Sequence, residues 1–311
     1  MICRRLLRTR SVAGQALGQL LAPLLVRAMD RAFDRAAIDW AGHPSCLALT
    51  FDCDFPEDAL ALPKVVELLR PHGLRASFAC VGRWVEEYPA EHRAVLEAGH
   101  ELMNHSWSHP ELVNSPRHFV SSRADLNPRP WRDLDPDARR EEIRRCQEVV
   151  ATTLGYAMTG FRVPHFGKVE AADLYPELPG LRIAYSSSVL APRAPHLGIP
   201  CWEGKVLEIP ITPCPRHPYA SLDSWHALYA GGGRHRANFV EQVADQLHRA
   251  IAHRGLTCIY LDPKDWERLE FGRIFASIAA LGDRCWTLTM NELCRWYRDT
   301  RGGPVEAGRG A

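Results

Sequence analysis

The absences in this sequence narrow it first. Ten cysteines (Cys3, Cys46, Cys53, Cys80, Cys146, Cys201, Cys214, Cys258, Cys285 and Cys294) include no C-x-x-C pair and follow no regular spacing, and several fall inside apolar runs. A disulfide framework or a cysteine-based zinc knot shows clustered spacing, so these read as small buried thiols in a reducing compartment, and the expected location is cytoplasmic. Net charge is nearly absent: 38 basic and 37 acidic side chains leave +1, and no global field favours nucleic acid. There is no internal repeat and no low-complexity tract. A long apolar run is lacking too. A bilayer span needs about 20 mostly apolar residues, whereas the stretch from Val12 to Val26 is interrupted by Gly14, Gln15, Gly18, Gln19 and Pro23. No clear small-x-small cleavage site follows it. The basic start Met1–Arg8 and this stretch are expected to form an accessory amphipathic helix, with contact to a membrane surface or a weak signal sequence as the other readings.

What is present is an ordinary soluble composition, 46% hydrophobic and 24% charged over 311 residues, enough for one large α/β domain. From Ser45 onward apolar strand-like runs alternate with helical patterns. The strands are expected near Cys46–Phe51, Ala76–Val81, His100–Asn104, Thr159–Arg162, Arg182–Tyr185, Val206–Ile211, Thr257–Leu261 and Cys285–Leu288. Helices are expected over Leu62–Leu69, Arg83–Ala98, Asp137–Leu154, Phe239–Arg254 and Trp266–Ala280, and Gly73, Gly99, Gly155 and Gly255 stand where left-handed helix ends favour glycine. Helices between short, continuously apolar strands argue for a mostly parallel sheet, and seven or eight such units suggest a barrel. The expected organisation is a helical extension over 1–44, a barrel over 45–300 and a frayed tail over 301–311. Two long segments, His109 to about Asp135 and Pro213 to Arg236, break the rhythm and read as lids or binding loops.

The polar residues fall where strands end: Asp52 and Asp54, Asn104 and His105, Arg162, Tyr185 and Ser186, and Asp262. In a parallel barrel these ends share one face, where active sites assemble. Two carboxylates one residue apart at the end of an apolar strand leave water only with a partner or a metal. His105-Ser106-Trp107-Ser108-His109 adds two imidazoles four apart, which on a single turn can aim at one ion; with Asp54 they make a two-histidine, one-carboxylate set.

Thr50-Phe51-Asp52-Cys53-Asp54, His105-Ser106-Trp107-Ser108-His109 and Phe161-Arg162-Val163-Pro164-His165-Phe166-Gly167 resemble the first three motifs of the polysaccharide deacetylase family, the NodB-homology or carbohydrate esterase family 4 domain. The resemblance runs roughly from Ser45 to Leu288. It implies a distorted (β/α) barrel of seven or eight units and metal-dependent hydrolysis of an N-acyl, or sometimes O-acyl, group. By position, Asp54, His105 and His109 would hold a divalent ion, zinc first, with cobalt, nickel, manganese or iron as alternatives. Asp52 would be the general base and Arg162 its partner. The ion lowers the pKa of water towards about 7, and backbone N–H groups near Pro164-His165 are candidates to hold the oxyanion.

The departures from the family are specific. Where members commonly carry a histidine as general acid, Cys258-Ile259-Tyr260-Leu261-Asp262-Pro263 places Asp262, which can donate a proton only with a raised pKa. The other candidates are His165, His217 and His226. Tyr185-Ser186-Ser187-Ser188 replaces the aspartate often found in the fourth motif. Trp107, Tyr185, His165 and His226 are the expected substrate contacts, and Trp131, Trp202, Trp225 and Trp266 are further aromatic candidates. The expected function is removal of an acetyl or formyl group from the amine of a sugar-like or other small metabolite, with oligomer formation open. Two alternatives stand beside it: a member of the same fold that binds metal and ligand without turnover, and a non-haem iron oxygenase.

Overall fold

The computed structural model describes residues 12–110, 129, 131–165, 175–176, 178–218, 220–229 and 236–304. Its centre is β1 (Cys46–Cys53), buried at all eight positions, as expected of a parallel strand covered on both faces. One edge of β1 pairs with β8 (Leu256–Leu261) from Cys46 to Phe51. The other is shared by β9 (Trp286–Leu288) opposite Cys46–Ala48 and β2 (Ser77–Cys80) opposite Thr50–Cys53. The sheet continues through β3 (Glu101–Asn104), β4 (Gly160–Phe161), β5 (Tyr185–Ser186) and β7 (Val206–Glu208), all parallel, to β6 (Cys201–Glu203), which is antiparallel. It curls until the chain beyond β7 meets β8, where Thr212 N–H donates to Cys258 O and Cys258 N–H to Thr212 Oγ1, both at 2.8 Å. The result is the expected distorted barrel.

Side-chain alternation divides the core. Leu47, Leu49, Phe51 and Cys53 face the surrounding helices and join Phe78, Ile259, Leu261, Phe271 and Phe275, with the Phe51 and Phe78 rings stacked 4.6 Å apart. Cys46 and Ala48 face inward with Ala79, Met103, Phe161, Cys258 and Tyr260. Continuing the two-residue period carries Asp52 and Asp54 onto the inner face of β1, and Tyr260 and Asp262 onto that of β8.

The helices are α1 (Val12–Ala36), α2 (Pro56–Leu69), α3 (Gly82–Glu87), α4 (Pro89–Glu97), α5 (Pro136–Leu154), α6 (Ser224–Leu228), α7 (Phe239–Ala252), α8 (Phe271–Ala279) and α9 (Met290–Arg301). Local chemistry sets several ends. Asp135 accepts the Ala138 N–H at the start of α5, with Pro136 in the first turn, and Gly155 ends it at φ 68°, the favoured cap pairing.

Four expectations change. The helix read over Arg83–Ala98 is two, because Pro89 lacks an N–H and forces Tyr88 to φ −125°, ψ 60°. The helix read from Trp266 begins at Phe271, after Glu270 at φ 54°. The left-handed position near Gly255 belongs to Arg254, φ 52°; Gly255 is needed for space, since a Cβ there would lie 3.3 Å from Ala250 Cα. Both β6 and α9 go beyond the expected elements.

The side chains of α1 from residue 21 onward bury Leu25, Met29 and Phe33, and Arg249 of α7 binds Asp30 at 2.7 Å and Val26 O at 2.8 Å. Phe33, Ile38 and Trp40 belong to the same apolar cluster as the barrel interior. Among the described residues no helix is long and apolar enough to cross a membrane.

Candidate active site

At the C-terminal ends of the parallel strands the acids of β1 meet different partners. Arg162, just past β4 and fully buried, donates from Nη1 to Asp52 Oδ1 at 2.6 Å and to Thr50 Oγ1 at 2.7 Å. Its Nε and Nη2 reach Ser187 O and Ser187 Oγ, both at 3.0 Å. Two buried charges offset their desolvation only with such saturated geometry. Asp52 is thereby fixed through Oδ1, while Oδ2 lies 4.0 Å from His105 Nε2.

Asp54 Oδ1 lies 3.1 Å from His105 Nε2 and 3.3 Å from His109 Nε2. The other nitrogen of His105 is 2.7 Å from Arg162 O; a carbonyl only accepts, so Nδ1 carries the proton and the Nε2 of a neutral ring turns its lone pair towards a carboxylate. Facing acceptors of this kind need a cation between them, either a proton or a metal. Two further observations fit a metal: Asp54 Oδ1 is buried without a hydrogen-bond partner, and the three ligand atoms lie within 4.8 Å of one another. Burial pushes the Asp54 carboxyl up, but the His109 and His105 imidazoles outweigh it and hold it well below the usual range. For His105 burial acts downward, yet the Asp54 and Asp52 carboxylates win and raise it.

The histidine pair sits on an irregular loop rather than a helical turn. Ser106 (φ 67°) and His109 (φ 51°) are left-handed, a conformation that costs about 1–2 kcal/mol per non-glycine residue. Side chains hold it. Asn104 Oδ1 accepts the Ser106 N–H at 2.8 Å and Ser106 Oγ accepts the His109 N–H at 3.1 Å. From α5, Glu142 accepts the N–H groups of Trp107 and Ser108 and the Ser108 hydroxyl, at 3.0, 2.8 and 2.7 Å.

Across the site, Asp262 follows β8 and is 4% exposed. Its N–H donates to Ser224 Oγ at 2.8 Å. Lys264 Nζ lies 3.8 Å from Asp262 Oδ2 and 3.1 Å from the fully buried Asp58, whose Oδ1 also accepts the Lys264 N–H at 3.0 Å. Burial is the largest influence on Asp262 and raises it; Lys264 opposes, Asp58 and Asp54 add to the rise, and the carboxyl ends well above its ordinary range. Burial likewise brings Asp58, despite Lys264, to about 7.

Of the expected substrate contacts, His165 reaches the cluster: its ring packs edge-on against His109, centroids 5.0 Å apart. Trp107 is buried against α5, with the Arg145 guanidinium 3.7 Å above its ring. Tyr185 is fully buried in the barrel interior and its hydroxyl donates to Glu101 at the start of β3, at the far end of that strand from His105. His226 sits with Cys214 and His217. Trp131 packs near Phe161, Trp202 donates to Gly302 O, Trp225 lies by Tyr229 and Trp266 by Lys64. In the segment read as an oxyanion contributor, Val163 N–H is taken by Ser188 Oγ at 2.9 Å, and Pro164 has none. Phe166 and Gly167 lie outside the described residues, as do 111–128 and 230–235 of the two long loops.

Sequence reasoning missed Tyr260 and Asp223. Tyr260, on the inner face of β8, has the Arg162 guanidinium 5.7 Å from its ring centroid. Burial and the negative charges of Asp223, Asp262, Asp52 and Asp54 raise its hydroxyl well above the usual range. Asp223 caps α6 by accepting the His226 N–H and is paired by backbone to Tyr260; burial pushes it to about 7. The two-residue spacing from Asp262 back to Tyr260 was a usable signal for the first; Asp223, in a long loop, offered none.

Comparison with known proteins adds three findings. The family model for polysaccharide deacetylase matches residues 41–173. A peptidoglycan-N-acetylglucosamine deacetylase of Bacillus cereus is 29% identical over 119 residues, which are 38% of this chain and 36% of that protein; a chitooligosaccharide deacetylase of Azorhizobium caulinodans is 40% identical over 68 residues, 22% of this chain and 31% of that one. The matched stretch thus spans about a third of each relative. A putative polysaccharide deacetylase from Mycobacterium smegmatis superposes with a TM-score of 0.66 at 18% identity, covering 87% of this chain and 96% of the other, and so shares the fold.

Proposed function

We propose, from the premise that this chain belongs to the polysaccharide deacetylase family through residues 41–173, that it removes an acetyl or formyl group from the amine of a sugar-like or other small N-acylated metabolite. The observation that carries this is the division between two acids two residues apart: Asp52 is fixed by Arg162 at 2.6 Å, and Asp54 by two imidazoles at 3.1 and 3.3 Å. A divalent ion, zinc in the first place, held by Asp54, His105 and His109 would supply the Lewis acidity that makes water nucleophilic near neutral pH and polarises an acyl carbonyl. The protein's own residues do the rest. Asp52, oriented through Oδ1 by Arg162, takes the proton of the attacking water. Asp262, held protonated by burial, gives a proton to the departing amine across the site. His165, against His109, borders the acyl group. From residue 21 onward α1 braces the barrel, and the scattered thiols support a cytoplasmic location.

The test is release of acetate or formate from a panel of N-acylated sugars, nucleosides and amino acids. Release by the metal-loaded protein, lowered about 10²–10⁴-fold in Asp52→Asn without loss of bound metal, is the expected result. Metal binding with no release from any substrate would favour the binding-only reading, and dioxygen uptake with a 2-oxo acid would favour the oxygenase.

A further inference from the structure

We infer that Cys214, His217 and His226 form a second metal site that takes zinc through a thiolate and two imidazoles and cross-links the segment that abuts the end of β8. The three ligand atoms lie within 4.8 Å of one another, as in the first cluster, and among the described residues these two groups alone do so. Cys214 Sγ is 3.8 Å from His217 Nδ1, which is 3.3 Å from His226 Nε2. Tetrahedral zinc, with bonds of about 2.3 Å to sulfur and 2.0–2.1 Å to nitrogen, spaces its ligands about 3.6 Å (S to N) and 3.3 Å (N to N) apart. The observed pair of distances matches both.

The backbone builds the site. Cys214 N–H donates to Ala220 O, His217 N–H to Cys214 O and Ala220 N–H to His217 O, at 2.8, 3.1 and 2.9 Å, closing Cys214-Pro215-Arg216-His217 into a tight turn. The Asp223 cap then delivers His226 from α6. Cys214 is fully buried and His226 is 9% exposed. Gln242 of α7 stands 3.2 Å from the sulfur, where its amide can turn an N–H to a thiolate. On binding, the thiol releases its proton to solvent. Sulfur and nitrogen ligands select a softer ion than the carboxylate-containing first site.

The consequence lies next door. Asp223, three residues before His226, bridges to Tyr260, and Ser224 accepts the Asp262 N–H at 2.8 Å. An ion on the cluster cross-links the segment that positions both β8 residues, so these three ligands position Asp262 rather than touch substrate.

Zinc content of the full chain and the spectrum of its cobalt form test this. Two zinc equivalents are expected in the wild type and one each in Cys214→Ser, His217→Ala and Asp54→Ala. Cobalt-loaded Asp54→Ala should keep a thiolate-to-metal charge-transfer band that Cys214→Ser lacks. A single wild-type equivalent lost with Asp54→Ala, or no thiolate band in cobalt-loaded Asp54→Ala, would overturn the inference. Loss of the thiolate band in Cys214→Ser with no effect of Asp54→Ala on metal content would instead sustain it while sinking the proposed metal ligands of the first site. Circular dichroism and the His217→Ala variant separate ligand loss from misfolding.

Discussion

The two sides of this site hold the same kind of side chain in opposite balance. On the β1 side each carboxylate has its own cationic or cation-accepting partner: Asp52 meets Arg162, and Asp54 meets His105 and His109. On the β8 side Asp262 and Asp58 share one ammonium, Lys264, and both are buried. Against its burial, the two imidazoles hold Asp54 well below the carboxylate range, whereas burial, with Lys264 shared, lifts Asp262 well above it. Residue type therefore does not fix the protonation of these acids; burial and local charge do, and a carboxyl raised in this way is suited to donate a proton near neutral pH.

The comparison can be broken first at its best-compensated pair. Arg162→Met leaves Asp52 buried without its cation and should cost about 3–5 kcal/mol in urea unfolding. Asp52→Asn in the same chain should restore much of that loss, since no charge is then left unpaired. No recovery in the double variant would mean that the guanidinium acts through Ser187 and Thr50 instead.

A second test sharpens the uncompensated side. Asp223 titrates near 7 in the fold against an ordinary 3.8, so the native state holds a proton that the unfolded chain has released. Stability should fall as pH rises from about 4 to 7, by up to ~4 kcal/mol for this group, and Asp223→Asn should remove that share of the slope. Chelator-treated protein unfolded at pH 5 and pH 8 provides the measurement; an unchanged slope in the variant would place the proton elsewhere.

A smaller effect is expected from the loop that presents the histidines. Glu142→Gln keeps the shape but weakens charge-assisted bonds to Trp107 and Ser108, and should lower metal affinity at the first site about 10–100-fold with little change in melting. Equal metal affinity in the two proteins would show that Ser106 and Asn104 hold the loop unaided.

The legible part of this site was written in charge at strand ends. Asp52, Asp54, His105 and Arg162 stood out because ionisable residues closing apolar runs have few purely structural explanations, and parallel register places them on one face. Tyr260 did not stand out, since a tyrosine in a strand reads as packing. Glu142 could not, because its role depends on where α5 docks. The helix α9 carried its own signal: Thr289 and Glu292 form a reciprocal cap at 2.9 and 3.3 Å, a pattern present in sequence. Cys214-x-x-His217 was likewise visible to a search wider than paired cysteines. Tyr185 misled because it opens β5 rather than closing a strand over 182–185, and its side chain reaches back to Glu101.

The most direct measurement is the pH dependence of kcat/KM for the metal-loaded wild type and for Asp262→Asn on one hydrolysed substrate. A protonated Asp262 acting as acid predicts that wild-type activity falls on the alkaline side as that proton is lost, and that Asp262→Asn is slower and lacks this limb. An alkaline limb of the same position and steepness in both proteins would contradict the account.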